Sequence, residues 1–426
     1  MKAPLAFLLS LSALLFTASL DSNAQFRVET QLRSRAEMRD GYQKLAAMGS
    51  DPAFLVSQRT RLSFVYESKT MKLRFTPQDV RLWGDQAKMS NGVGDNPSLD
   101  LFEAYAEISI GSKAWISAGR QQLVYDNRRL LGDRNWNQNG ISYDALVVRL
   151  KPGKFNLHAG ASWNTLSDAL SGNPYPTSRI KSLNFVWLNR SFNNNLKFSL
   201  LHLSTGVTRT DTTNPLNFRH TTGIYSEYKD ETINVWGNFY YQYGKNRQGN
   251  KVNAFLADAD VSFRLKRFTP GLGFGYLSGN SKTITKGSTD HLFDILYGNT
   301  HRYFGYMDYF RSFATDTRQG GLADYYLWLD YRFSDKVSMR NIAHAFSLAR
   351  TNPSTPSDKP LGIENDLIFR FKFAAWGELE NGYCFFLPSS TLETIQSVAD
   401  SKFSQFFYVQ LTLTPELFRQ TINQEK

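Results

Sequence analysis

The chain is poor in cysteine, in histidine and in long apolar runs. Its 426 residues hold one cysteine, Cys384, which excludes an intramolecular disulfide and any multi-cysteine zinc or iron–sulfur site. The histidines, His158, His202, His220, His291, His301 and His344, are scattered. No His-Glu-x-x-His, nucleophile elbow or phosphate loop is present. No enzymatic activity, metal or other cofactor is therefore expected. The enzymatic alternative is a membrane-barrel hydrolase that pairs His344 with a serine. The longest apolar run, Leu5 to Phe16, falls short of the ~20 residues of a spanning helix. With Lys2 before it and the small-residue site Ser22-Asn23-Ala24 after it, it reads as a secretory signal over residues 1–24, the alternative being an N-terminal membrane anchor. No cysteine follows the run, so a lipoprotein is excluded. The mature chain then begins at Gln25.

Aromatic residues are abundant, at 14% with Phe 32 and Tyr 21, and the formal net charge is +11. Signal cleavage removes Lys2 and Asp21 and leaves that charge unchanged. A basic chain suits nucleic acid, acidic lipid or an anionic solute, depending on where the charge sits. The arrangement of the residues decides. From Phe26 to Arg39, apolar or small residues (Phe26, Val28, Thr30, Leu32, Ser34, Ala36, Met38) alternate with Arg27, Glu29, Gln31, Arg33, Arg35, Glu37 and Arg39. A period of two over this length is a β-strand with one apolar and one charged face. The same alternation recurs in Arg59–Glu67, Met71–Thr76, Phe102–Ile110, Ile233–Tyr243, Ile363–Phe373 and Phe407–Leu413. A mean hydropathy below zero is what such strands give, since each averages a lipid face and a water face.

Connections alternate as well. Tight turns are expected near Ser68–Thr70, Gly111–Lys113, Lys151–Lys154, Ser191–Asn194, Lys229–Asp230, Leu265–Arg267, Phe333–Lys336 and Ala374–Trp376. Longer polar stretches lie near Asp40–Ala53, Asp85–Ser98, Tyr125–Ile141, Asn164–Ser178, Thr205–Leu216, Gly244–Asn250, Gly279–Gly321, Thr351–Pro360 and Pro388–Lys402. Brief turns on one side and long loops on the other are the signature of a bacterial outer-membrane barrel. The fold expected is all-β: one transmembrane antiparallel up-and-down barrel over residues 25–426, of about eighteen strands, with a polar, charged lumen. A soluble sandwich or solenoid would not need charges opposed to its apolar faces, and no repeat of solenoid length occurs.

The inward faces assign candidate residues. Arg27, Arg33, Arg35, Arg39, Arg59, Arg61, Lys72 and Arg74 lie on early strands, and Arg370 and Lys372 on a late strand that closure brings beside them. Fixed positive charge along a wall favours anions, and the planar guanidinium suits carboxylates. Glu29, Glu37, Glu67, Asp79, Glu103, Glu107, Asp144, Glu364 and Asp366 are expected to share the lumen and to brace many of these arginines. Basic residues that face a lumen and alternate with acids do not make a nucleic-acid surface.

Several motifs stand in a characteristic order: Gly119-Arg120-Gln121, Arg129-Leu130-Leu131-Gly132, Trp136, Tyr143-Asp144, Phe293-Asp294-Ile295-Leu296-Tyr297, His301, Tyr303-Phe304-Gly305-Tyr306-Met307-Asp308, His344-Ala345-Phe346 and Leu361-Gly362-Ile363-Glu364-Asn365-Asp366. In this order the set resembles the alginate-export family of outer-membrane barrels, over most of the mature chain. The resemblance implies an eighteen-stranded porin that passes an anionic polysaccharide. Arg120, Arg129 and Arg149, in or beside these motifs, join the candidate pore-lining set. The loop that carries Tyr303–Tyr306 and His301 either folds inward and narrows the pore or is an ordinary surface loop, and its rings either stack on sugars or belong to the interfacial belt. The function expected is passive conduction of anionic solutes or export of an acidic polysaccharide; a general anion porin is the alternative. The partners expected are such an anion, outer-membrane lipid and the barrel-assembly machinery. One departure is that the chain runs past Pro415 to Lys426 instead of ending in an aromatic, unless Phe418 serves as the assembly signal.

Overall fold

The computed structural model describes residues 23–85, 99–168, 170–172 and 174–423. Its strands, in order, are β1 (Asn23–Asp40), β2 (Ala53–Ser68), β3 (Met71–Leu82), β4 (Leu99–Gly111), β5 (Ala114–Gln121), β6 (Tyr143–Leu150), β7 (Phe155–Trp163), β8 (Ser182–Phe192), β9 (Leu196–Thr208) and β10 (Leu216–Lys229). They continue with β11 (Ile233–Lys245), β12 (Lys251–Phe263), β13 (Phe268–Leu277), the two-residue β14 (Thr289–Asp290), β15 (Leu322–Arg332), β16 (Val337–Leu348), β17 (Pro360–Ala374), β18 (Gly377–Pro388), β19 (Ser404–Leu413) and β20 (Glu416–Asn423). Neighbours in sequence pair antiparallel around the ring, and β19 and β20 close it against β1. The product is a closed barrel of eighteen staves. β14 lies in a loop, and β19 with β20 forms one final stave interrupted at Thr414-Pro415, where proline cannot donate to the ladder. Closure leaves no unpaired edge for hydrocarbon to meet. Among the described residues no helix is long and apolar enough to cross a membrane.

All eight short turns fall where the sequence places them, on the side of Asn23 and Asn423. The long connections fall on the opposite side. The stretch expected near Asp85–Ser98 lies beyond Asp85 outside the described residues. So does most of the expected leader at 1–24, although β1 already runs through Asn23 and Ala24. By the rule of short periplasmic turns, the termini mark the periplasmic end.

The two faces of the wall differ as the alternation requires. Leu73, Phe75, Leu146, Val186, Leu200, Ile224, Phe239, Leu272, Leu327 and Phe369 are exposed on the outside. Near the periplasmic turns Phe155, Phe192, Phe263, Phe268, Phe333 and Trp376 form an exposed aromatic belt, the position favoured by amphipathic rings. Phe418 joins that belt, with its ring 6.3 Å from Phe26. The chain past Pro415 thus completes the last stave: Phe418 registers with Val28, and the pairing runs on to Asn423 with Asn23.

The inside is not an open pipe. Two long connections, residues 122–142 and 278–321, fold into the barrel and carry an apolar core with them. Leu123, Leu130, Leu131, Phe293, Phe304, Met307 and Phe310 pack there against the inward-facing Leu183, Leu203, Tyr240, Leu256, Phe346, Phe386 and Phe406. Staves over this core are apolar on both faces. In β8, Leu183 and Phe185 point in while Val186 points out. Because β20 alone pairs the lower half of β1 on the edge away from β2, removal of residues 416–423 is expected to leave that edge bare. Loss of the heat-dependent mobility shift of a folded barrel in cold-SDS electrophoresis would be the readout. A normal shift would show that β19 suffices for closure.

Candidate functional site: an arginine-held constriction

The inward loops carry peptide groups into the barrel, and buried peptide groups need partners. Four arginines of β1 and β2 supply them to residues 135–139. The Arg33 guanidinium donates to Asn135 O (2.6 Å), Trp136 O (3.3 Å), Asn137 O (3.2 Å) and Gln138 Oε1 (2.9 Å). Arg35 donates to Trp136 O at 2.9 Å and lies 3.7 Å from the Trp136 ring. Arg59 reaches Gln138 O at 3.2 Å and Asn135 Oδ1 at 2.9 Å. Arg61 reaches Asn139 O at 3.0 Å and covers the Phe102 ring at 3.3 Å. These side chains were expected to face solute. Arg33, Arg35 and Arg59 are buried and grip the loop.

The two loops also lock to each other and to the far wall. Leu131 bridges Tyr297, Asn299 donates to Asp133 (2.7 Å) and the Arg134 guanidinium donates to Leu296 O (2.6 Å). A Cβ on Gly298 would sit 2.1 Å from Arg129 O, so the loops touch backbone to backbone. Arg129 is itself buried in an ion pair with Asp258 of β12 at 2.5 Å, beneath the Tyr303 and Phe304 rings. Glu364 and Asp366 of β17 accept from the amides of Met307 (2.7 Å) and Tyr306 (3.2 Å). Gly305, at φ +82, crosses directly over Glu364. Trp136 is sandwiched between Arg35 and the His301 ring (3.9 Å, 8°). His301 Nδ1 contacts Asp308 at 3.0 Å, and the Tyr42 hydroxyl donates to Asp308 at 2.6 Å. Of the two readings of this loop the structure shows the inward fold, but its aromatic motif is largely spent on packing: Tyr303 and Phe304 are buried. Burial pushes the Tyr306 hydroxyl up to about 12, so it stays neutral.

The remaining candidates fall into three groups. Arg27 pairs with Glu67 (3.0 Å), Arg74 with Glu29 (3.1 Å) and Glu103 (3.6 Å), Arg149 with Glu107 (2.5 Å), and Arg370 with Glu380 (2.6 Å). All of these are on the inward face. So is Glu37, held between Arg35 and Arg39, each at 2.6 Å. Lys72 registers between Glu67 and Glu107, and Lys372 opposite Glu378. Arg120, Asp144 and Asp79 do not face the lumen. Arg120 registers with Ala104 and Asp144, on the side of the sheet that exposes Leu146, and forks onto Asp144 at 3.0 Å at the outer rim. Asp79 registers with Thr60, again on the outer face.

Two cavities flank the loops. One, of about 920 Å³, is bordered by Arg39, Arg81, Arg128, Arg134, Arg302, Arg311, Arg340 and Arg370 and by the loop-holding Arg33 and Arg35, with Glu37, Asp133, Asp308, Glu378 and Glu380 among them. The other, of about 1020 Å³, lies on the loop side and is bordered by Arg179, Arg219, Arg247 and Lys286, and again by Arg134 and Arg311. A third, of about 270 Å³, lies at the periplasmic end and shares Arg370 with the first. Arg128, Arg134, Arg302 and Arg311 lie on loops, where no strand alternation marks them. Arg340 is masked because the inward face of its strand mixes Arg340 and His344 with Ile342 and Phe346. His344 lies buried, its Nδ1 3.0 Å from both oxygens of Asp324.

A family model described as alginate export matches residues 24–388. The chain belongs to the alginate-export family. It is an outer-membrane channel protein, with the fold of transport barrels rather than of enzymes. Among solved structures it is similar to OccAB4 of Acinetobacter baumannii (13% identity, TM-score 0.62, covering 93% of this chain and 99% of that one). It is likewise similar to OccK11 (OpdR) of Pseudomonas aeruginosa (12%, 0.58, 92% and 96%) and to a BenF-like porin from Pseudomonas fluorescens Pf-5 (12%, 0.61, 92% and 99%). At these identities the likeness is one of fold. No curated protein matches the chain.

Replacing Arg33 and Arg59 by Met should orphan the carbonyls of Asn135 and Gln138, at about 1–3 kcal/mol per unpaired buried group, and leave Trp136 O to Arg35 and Asn137 O to the Gly140 amide. Amide exchange across residues 133–139 is expected to quicken and single-channel conductance to rise, with the reversal potential in a salt gradient little changed. A collapse of anion preference with conductance unaltered would mean that these arginines meet the ion directly.

Proposed function

We propose that this barrel passively conducts anions, and that its physiological substrate is an acidic polysaccharide carrying one carboxylate per sugar. The single observation that supports this most is the sharing of arginines between cavities. Arg134 and Arg311 border both the loop-side and the central cavity, and Arg370 borders both the central and the periplasmic one. A carboxylate leaving one cavity would meet the guanidinium of the next, which is how a pore binds an ion without trapping it. The contacts in this reading come from Arg134, Arg302, Arg311, Arg340 and Arg370. Arg33, Arg35, Arg59 and Arg61 seat the loop, Arg33 and Arg35 from the edge of the central cavity, and the ion pairs of Arg27, Arg74 and Arg149 brace the wall. Arg340 and Arg370 would meet the solute while held on Asp330 and Glu380. The family supports a polymeric anion.

A general anion porin without a polymer substrate is the second reading. The division of the interior into separate cavities by packed loops favours it. Planar-bilayer recordings separate the possibilities. A reversal potential showing anion preference, reduced by the Arg134→Gln, Arg311→Gln and Arg340→Gln combination, is expected. Cation preference in the wild type would refute conduction of anions. Block of the current by oligogalacturonate but not by a neutral oligosaccharide of equal length favours the polymer. Equal block by both favours the general porin.

A further inference from the structure

The periplasmic end carries a cluster of cations that the structure leaves without partners. The hairpin joining β12 to β13 presents Arg264, Lys266 and Arg267 within four residues, and Arg332 ends the neighbouring β15. All four are exposed. Among the described residues none of their side chains makes a hydrogen bond or ion pair. This sets them apart from the wall arginines, nearly all of which are engaged. Asp230, on the next turn, lies within the field of Arg264, but its carboxylate already accepts from the Thr232 and Ile233 amides at 2.7 Å. The acid that borders their cavity, Asp330, is held in a two-pronged grip by Arg340 at 2.5 and 2.6 Å. The adjoining turns also carry Glu231, Asp335 and Lys336, so the rim around the cavity keeps a net positive charge, with no acid paired to these four cations among the described residues.

The display is also fixed in place. Leu265 and Phe268 exchange both backbone hydrogen bonds, at 2.7 and 2.8 Å, so Lys266 and Arg267 form a tight two-residue tip. Lys266 takes φ +53, a conformation that Asn or Gly adopts more readily. Phe268 anchors the hairpin on the Tyr331 ring at 4.6 Å. Neither turn chemistry nor wall stability calls for three cations here; their mutual repulsion opposes both. The cavity they border is lined also by Thr269 and Ser338, which register on the inward face, and its inner wall is Arg370, shared with the central cavity.

We infer that Arg264, Lys266, Arg267 and Arg332 form a capture site at the periplasmic mouth for the carboxylates of a polyanionic chain, which passes it to Arg370. This deepens the proposed anion-conduction reading and rests on it. It gives the channel a sidedness that the central cavity alone does not. The ligand class is a linear oligomer with regularly spaced carboxylates, since four cations spread along a rim engage several groups of one chain at once.

The test uses channels in planar bilayers whose orientation is read from a protease site placed in the 209–215 loop. Oligogalacturonate is added to one side at a time. The wild type is expected to be blocked from the periplasmic side at a concentration about tenfold lower than from the loop side, the sum of three modest surface charge contacts. The Arg264→Gln, Lys266→Gln, Arg267→Gln variant should lose that difference, while its block from the loop side is unchanged. An anion-selective wild type blocked equally from both sides overturns the capture site and leaves the conduction reading intact. A wild type without anion preference refutes the conduction reading. Equilibrium binding of fluorescent oligogalacturonate to detergent-solubilised protein then decides the site: weaker binding by the triple variant upholds it, and equal binding overturns it.

Discussion

A channel that narrows itself with a loop must find partners for that loop's peptide groups inside the barrel. Here the guanidinium groups of Arg33, Arg35, Arg59 and Arg61 take the carbonyls of residues 135–139. Guanidinium offers five donors in a rigid plane, so one side chain can hold several carbonyls spread along a loop, which the three closely spaced donors of a lysine ammonium would not span. Everything nearer the centre is placed through this grip. Trp136 is set against His301, Asp133 against Asn299, and Arg134 at the boundary of two cavities. The same chemistry that would hold a carboxylate is used on the early wall to hold backbone.

The second consequence is a hydrophobic core inside a transmembrane barrel. Phe293, Phe304, Phe310, Phe346, Phe386 and Phe406 are buried there. Removing each such side chain from water contributes about 1.5–3 kcal/mol. The loops are therefore fixed by apolar packing on one side and by charged hydrogen bonds on the other. Such a constriction has defined cavities rather than a fluctuating curtain, and the arginines at their boundaries stand at fixed positions along the route.

How far the sequence speaks follows from what each stave faces. β1 to β4 border water and polar loop backbone, so their charged alternation is plain, and every short turn is marked by its own residues. β8, β9 and β13 face the inner core. Leu183, Leu203 and Leu277 are as apolar as the lipid side, and the alternation fades although the strands are present. The split between arginines that hold the loop and arginines proposed to meet solute is not legible, because Arg33 and Arg59 share inward strand positions with Arg340 and Arg370, while Arg134, Arg302 and Arg311 lie on loops. Only the pairing partners, more than 70 residues away in sequence, distinguish them. Arg120 and Asp144 are different. Arg120 follows Ile116 and Ala118 at period two, and Asp144 precedes Leu146 in the same way. The outer face was written in the strand and was masked by the motif that contains it.

The proposed division of the arginines into those that grip the loop and those that meet the anion is tested most directly by a crystal grown with 4-bromobenzoate. Anomalous peaks from bromine are expected beside Arg134, Arg311, Arg340 or Arg370, with residues 135–139 still held by Arg33 and Arg59. Peaks beside Arg33, Arg59 or Arg61, with the loop displaced from them, would contradict it.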